Sequence, residues 1–386
     1  MGFSSRTRFD RRENRLAAAL GRRASSGRTH LDLTVSNPTR EGVPYDRGAL
    51  AALSGENVVV YEPAPFGLPS ARRAVAGLWA ARGIDVDAAR VVLTASTSEA
   101  YSFLFKLLCD PGDTVLVPRP SYPLFEHLAK FEGVETVFYD LEYDGAWHVD
   151  CASLERAITP RTRAIAVVSP NNPTGSYLKR DELFRLASLG VPIVSDEVFA
   201  EYPAPADSNR VASALEATGA LVFALDGLSK LAALPQMKLA WITVGGPDAL
   251  VAEALGRLEL VCDAFLSPSA GVQHALPALL AASGPTRVFI QGRIARNYAA
   301  LLRATMNTSL TPLRYEGGWY AVLRLPGVRS EEDWVLGLLE ERDVLVQPGF
   351  FYDFRTEPFV VVSLLTEEQT FDRGARRLAE YVASTS

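Results

Sequence analysis

"LVFALDGLSKLAALPQMKLAWITVGG", Leu221 to Gly246, is apolar apart from one acid, a few hydroxyl and amide groups, and two lysines, Lys230 and Lys238. "LVFAL" reads as a strand apolar on both faces, and upstream of it the same pattern recurs. "RVVLTAS" (90–96), "TVLVP" (114–118), "AIAVVSP" (164–170) and "PIVSDE" (192–197) read as short strands. "ARRAVAGLWAARG" (71–83), "EAYSFLFKLL" (99–108) and "RDELFRLASLG" (180–190) read as the helices between them. Strands without a polar face that alternate with helices form a largely parallel sheet covered on both sides, so the expected class is α/β. Ligands of such sheets bind beyond the carboxyl ends of the strands. After Gly246 long helical patterns run to about Thr308, and then "YAVLRL", "VLVQPG" and "FVVVSLL" alternate with short helices, as in a smaller α+β domain. The expected division is an arm and part of the small domain in 1–50, a large domain in 51–290, and the rest of the small domain in 291–386.

The 386 residues, 48% hydrophobic, are enough for one large core or two. Prolines, glycines or charges interrupt each apolar run before the roughly 18 residues of a bilayer span, so no membrane partner is expected. The net charge of -6 comes from signs mixed along the chain, which argues against a nucleic-acid surface and for small-molecule partners. Cys109, Cys151 and Cys262 lie far apart without metal or disulfide spacing, in keeping with a reducing, cytoplasmic location. With four histidines and no HExxH, a metal site is not expected; GxGxxG, GxxxxGK[ST] and GxSxG are missing too. The first 30 residues carry Arg6, Arg8, Arg11, Arg12, Arg15, Arg22, Arg23 and Arg28 against Asp10 and Glu13. A transit peptide has that composition, but a basic amphipathic arm with Leu16 and Leu20 on the body is the preferred reading.

Three polar stretches follow strands. "SPNNPTG" (169–175) alone is ordinary turn chemistry. "VSDEVF" (194–199) puts Asp196 at a strand's carboxyl end, where a helix cap is the plain alternative. "LTASTSEA" (93–100) places Thr97 and Ser98 where a strand enters a helix, so hydroxyls and free backbone N–H groups could hold an anion there.

Taken together, these pieces resemble the fold-type I aminotransferases that use pyridoxal 5'-phosphate. "GLSKLAALPQMKLA" (227–240) resembles the segment around the family's Schiff-base lysine, "NNPTG" and "DE" lie upstream at fitting intervals, and "PRPSYPLFE" (118–126) and "YEPAPFGLPSARRAV" (61–75) match two further segments. The resemblance implies Lys230 as the covalent and proton-moving residue, Asp196 on the pyridine nitrogen, Tyr122 stacked on the ring and Asn172 on its phenolic oxygen. It implies Thr97, Ser98, Ser229 and Lys238 around the phosphate, with Tyr61 reaching the neighbouring subunit's phosphate in a homodimer. The substrates it implies are an amino donor and an oxo-acid acceptor.

The sequence also departs from the family. Lys238 stands where arginine is usual, Phe199 where a tyrosine is usual, and Gln236 where a small residue, Asn or Arg is usual. Near the carboxyl end, "FVVVSLLTEE" puts Val361 where the family has the arginine that grips the substrate carboxylate, and Arg40, then Arg355, are the candidates to replace it. Such a site also leaves open decarboxylation or β-elimination on the same scaffold, or a protein that binds pyridoxal phosphate without turnover.

Overall fold

The computed structural model describes residues 2–204, 209–356 and 358–385. Its large sheet has eight strands in the spatial order Val91–Thr94, Ala240–Gly245, Val222–Gly227, Ile193–Asp196, Thr162–Val168, Thr114–Arg119, Glu135–Tyr143, Trp147–Val149. The five from Val222–Gly227 to Glu135–Tyr143 pair in parallel, whereas Ala240–Gly245 is antiparallel to both its neighbours. Parallel pairing needs crossovers, which include helices Thr97–Leu108, Phe125–Phe131 and Arg180–Ser188. Burial follows the apolar runs: Val91–Thr94, Ile193–Asp196 and Val222–Gly227 are buried at every position.

A second, antiparallel sheet orders Thr311–Pro312, Tyr320–Arg324, Phe359–Ser363 and Gln347–Pro348. Helices Gly284–Thr305, Glu331–Arg342 and Glu368–Thr385 share a hydrophobic core with it. The helix Gly284–Thr305 runs without interruption across position 290, where the sequence suggested a division. The arm belongs to this half. Helix Arg15–Ser25 buries Leu16 and Ala19 in that core with Leu20 against it, and Arg23, 2% exposed, pairs with Asp343 at 2.5 Å. Leu31–Asp32 pairs with Val344–Leu345, which ties the chain before residue 50 to the chain after 300.

The two halves meet along the segment around Trp319. Gly175, at the end of "NNPTG", has φ +73°, and a side chain there would come within 2.5 Å of the Gly317 carbonyl. Gly317 in turn would bring a Cβ within 2.8 Å of the Tyr202 carbonyl. Two residues without side chains let these backbones touch, and the contact carries Trp319 and Tyr320 towards the sheet's carboxyl edge. Among the described residues no helix is long and apolar enough to cross a membrane.

Candidate active site

The strands ending at Thr94, Arg119, Val168, Asp196 and Gly227 run in one direction, so the residues that follow them gather at one edge of the sheet. Thr97, Tyr122, Asn172, Asp196 and Lys230 all come from these five ends. That common edge is why motifs scattered over more than 130 positions form one place.

Lys230 lies in the single turn Leu228–Leu231 that follows Gly227. A Cβ on Gly227 would stand 2.8 Å from that of Ala240, so glycine lets this strand close against its antiparallel neighbour just before the lysine. The backbone beyond is pinned: Tyr202 donates its hydroxyl to the Lys230 carbonyl at 2.7 Å, and Tyr45 to the Ala233 carbonyl at 2.8 Å. The Lys230 Nζ lies 5.3 Å from the centre of the Trp319 ring and 5.8 Å from that of Phe199. Burial among these aromatics lowers its pKa, and the Asp196 carboxylate partly opposes that.

Asp196, 7% exposed, accepts from the Val198 backbone N–H at 3.3 Å and from the Tyr101 hydroxyl at 3.4 Å. Burial pushes its carboxyl up to about 6, with the Asp226 charge adding to the rise and Lys230 acting against it. Asp226, itself pushed up to about 6 by burial, is held at 2.9 Å by Arg82, which also pairs with Glu201 at 2.8 Å. Glu197, beside Asp196, points the other way and accepts from Ser195, Ser213 and the Ala214 N–H.

The two asparagines of "NNPTG" divide their tasks. Asn171 is consumed by the turn, donating to Ser121 and accepting from Thr174. The Asn172 side-chain oxygen is buried with no hydrogen-bond partner among the described residues. Tyr122 is half-buried, edge-on to Phe125, and its hydroxyl pKa is raised by burial and then by Asp196. At the sheet's far strand, Ser96 caps helix Thr97–Leu108 by accepting from the Glu99 N–H at 3.1 Å. That leaves the hydroxyls of Thr97 and Ser98, in the first turn, without partners among the described residues, at the positive end of the helix dipole.

Ser229 is half-buried next to the lysine. Lys238 is exposed, has no partner among the described residues, and holds the left-handed conformation, φ 51°, which is uncommon for a residue with a side chain. Tyr61 is 77% exposed, beside Val59 and Val60 at 85% and 55%. Phe199 is buried, and no hydroxyl occupies the place of the family's tyrosine. Arg355 is engaged with Asp140 at 3.0 Å, a carboxylate that Arg119 also binds, while Arg40 is exposed on the short turn Pro38–Arg40.

These features suit pyridoxal phosphate: an unpaired buried amide, a buried carboxylate awaiting a cation, a desolvated amine, and uncommitted hydroxyls at a helix start. Sequence reasoning did not single out Trp319, Tyr101, or the Arg82–Asp226 pair. The double glycine before Trp319 was a usable signal for the first; the other two are brought in by packing alone.

Comparison with known proteins agrees with this geometry. The family model for aminotransferase class I and II matches residues 31–378. The chain is 25% identical over 374 residues to human tyrosine aminotransferase, covering 92% of this chain and 81% of that one. It is 27% identical over 333 residues to an alanine aminotransferase of Mycobacterium tuberculosis, covering 82% and 77%. Among solved structures, an aspartate aminotransferase variant from Thermus thermophilus superposes with a TM-score of 0.85 at 25% identity, covering 98% and 99%. An aminotransferase from Escherichia coli superposes with a TM-score of 0.86 at 22% identity, covering 99% and 98%. With a match that runs through nearly the whole chain and a fold shared from end to end, the protein belongs to the class I and II aminotransferases, enzymes that use pyridoxal phosphate to exchange amino groups between amino and oxo acids.

Proposed function

We propose that Lys230 is the residue to which pyridoxal phosphate is joined and that it also carries the proton in amino transfer. The observation behind this reading is that Lys230 and Asp196 stand at the carboxyl ends of two neighbouring parallel strands, the carboxylate 7% exposed and the amine 5.3 Å from the buried Trp319 ring. When bound, the cofactor supplies an electron-accepting ring that stabilises negative charge at the substrate carbon. Asp196, its carboxylate held by Tyr101 and the Val198 N–H, would face the ring nitrogen and keep it protonated. Asn172 would donate to the phenolic oxygen, and Tyr122 would pack on the ring. Thr97, Ser98 and Ser229 would donate to the phosphate, with Lys238 as a point charge in place of a planar guanidinium. Lys230, desolvated and so readily neutral, would take the proton from the substrate carbon and deliver it to the cofactor carbon, as amino transfer requires.

The reading extends to assembly. The exposed Val59–Val60–Tyr61 run supports a homodimer in which Tyr61 serves the neighbouring site. Three free cysteines support a cytoplasmic home. The proposed domain arrangement is 1–50 and 291–386 around the small sheet and 51–290 around the large one; separate cores for the two sheets support two domains, with helix Gly284–Thr305 spanning the later boundary. The test is borohydride reduction of the yellow protein followed by peptide mass analysis, with an assay of keto-product formation from a panel of amino acids. Cofactor mass on any peptide other than the one containing Lys230, or no keto product from any donor, would overturn the reading.

A further inference from the structure

Amino acids and oxo acids both carry a carboxylate beside the reacting carbon, and a buried carboxylate needs donors. On the strand face that carries Val361, the described residues Gln347, Val322, Ser363 and Tyr320 bear no charged side chain. Val361 is fully buried. Arg324, on the same strand face, sits over the Phe359 ring at the far end of the ladder, 5.5 Å from its centre.

The register shows what stands beside Val361. Residues directly opposite in an antiparallel ladder point to one face, as do residues two apart. Gln347, Val361 and Val322 therefore form one row, and Ser363 and Tyr320 the next row of the same face. That face looks into the site: the Tyr320 ring centre is 6.1 Å from that of Phe199, which borders the Lys230 amine. Tyr352 donates its hydroxyl to the Gln347 side-chain oxygen, and the Tyr352 carbonyl accepts from the Ser121 N–H at 3.0 Å, next to Tyr122. With its oxygen so used, the Gln347 amide has its two N–H bonds left, and its Nε2 has no partner among the described residues.

We propose that Gln347, oriented by Tyr352, receives the carboxylate next to the reacting carbon of both substrates. The inference rests on the aminotransferase reading above and names the residue that decides which substituent the site accepts. A neutral amide holds an acid less firmly than a guanidinium fork and discriminates less against an uncharged substituent, because no buried charge is left unpaired when the acid is absent.

The test follows the loss of colour of the holoenzyme mixed with a panel of amino acids and with the amide of each. Gln347→Leu keeps the side chain's size and removes its donors; Gln347→Glu places a negative charge there. For the acids, Gln347→Leu should raise the half-saturating concentration about tenfold while the maximal rate changes little, and Gln347→Glu should raise it further. For the amides both variants should match wild type. Equal effects on acids and amides, no effect of either variant, or a wild type that prefers the amides overturns the proposal. Colour retained in the variants shows that fold and cofactor attachment are intact, whereas a colourless wild type would count against the reading of Lys230 instead.

Discussion

The Lys230 Nζ stands 5.3 Å from the centre of the fully buried Trp319 ring; the lysine follows a strand of the large sheet and the tryptophan precedes a strand of the small one. The indole joins the halves of the molecule and keeps water from the amine. Trp319→Ala should cost about 3–5 kcal/mol of stability, read from urea unfolding, because the cavity cannot close around rigid strands. It should also move the Lys230 pKa back towards the ordinary lysine value, seen as an upward shift of the basic limb in the pH profile of the half-reaction. Trp319→Phe should keep most of the stability.

Asp196→Asn should leave the fold intact, since an amide still accepts from Val198 and Tyr101, yet slow the half-reaction about a hundredfold to a thousandfold. Stopped-flow measurement with a good amino donor checks this. Asp196→Glu should fall between, because the carboxylate survives at the wrong reach.

Phe199→Tyr would supply a hydroxyl where the buried ring now ends, 3% exposed and edge-on to Trp319 and Tyr320. A donor towards the cofactor's phenolic oxygen favours the unprotonated form of the cofactor–lysine link. The pH midpoint of the protein's colour change should therefore fall in the variant, which a spectrophotometric titration would read directly.

Arg82 compensates a carboxylate that is 1% exposed, so Arg82→Met should be strongly destabilising, by about 3–5 kcal/mol, and adding Asp226→Asn should recover part of the loss. The pH dependence has a defined sign. Burial raises Asp196 and Asp226 to about 6 and Glu197 to about 7. The folded state thus holds protons that the unfolded chain has already released, and these groups' contribution is full below their ordinary values and lost as pH rises through about 6 to 7. Unfolding free energy of the cofactor-free protein should fall across that window, less steeply in Asp226→Asn. Urea titrations at several pH values measure the slope.

How much of this was legible beforehand depended on range. The alternation around "AIAVV" and "PIVSDE" announced a parallel sheet because strands covered on both faces cannot carry a polar side. Parallel strands send their following loops to one edge, and the resemblance to the aminotransferases then assigned the motif residues Asn172, Asp196 and Lys230 to one place there. Local chemistry was equally visible: glycine at 175, hydroxyls at 97 and 98, an amine at 230. What stayed hidden were relations between distant strands. Trp319 over Lys230, Tyr101 under Asp196, Arg82 against Asp226 and Gln347 beside Val361 each join positions well separated in the chain, and no periodicity records which side chains a crossover or a ladder register will bring together. Arg355 shows the same limit from the other side. As a charge near the chain's end it looked available, and only tertiary packing committed it to Asp140, since an ion pair is decided by distance in space and not by spacing in the chain.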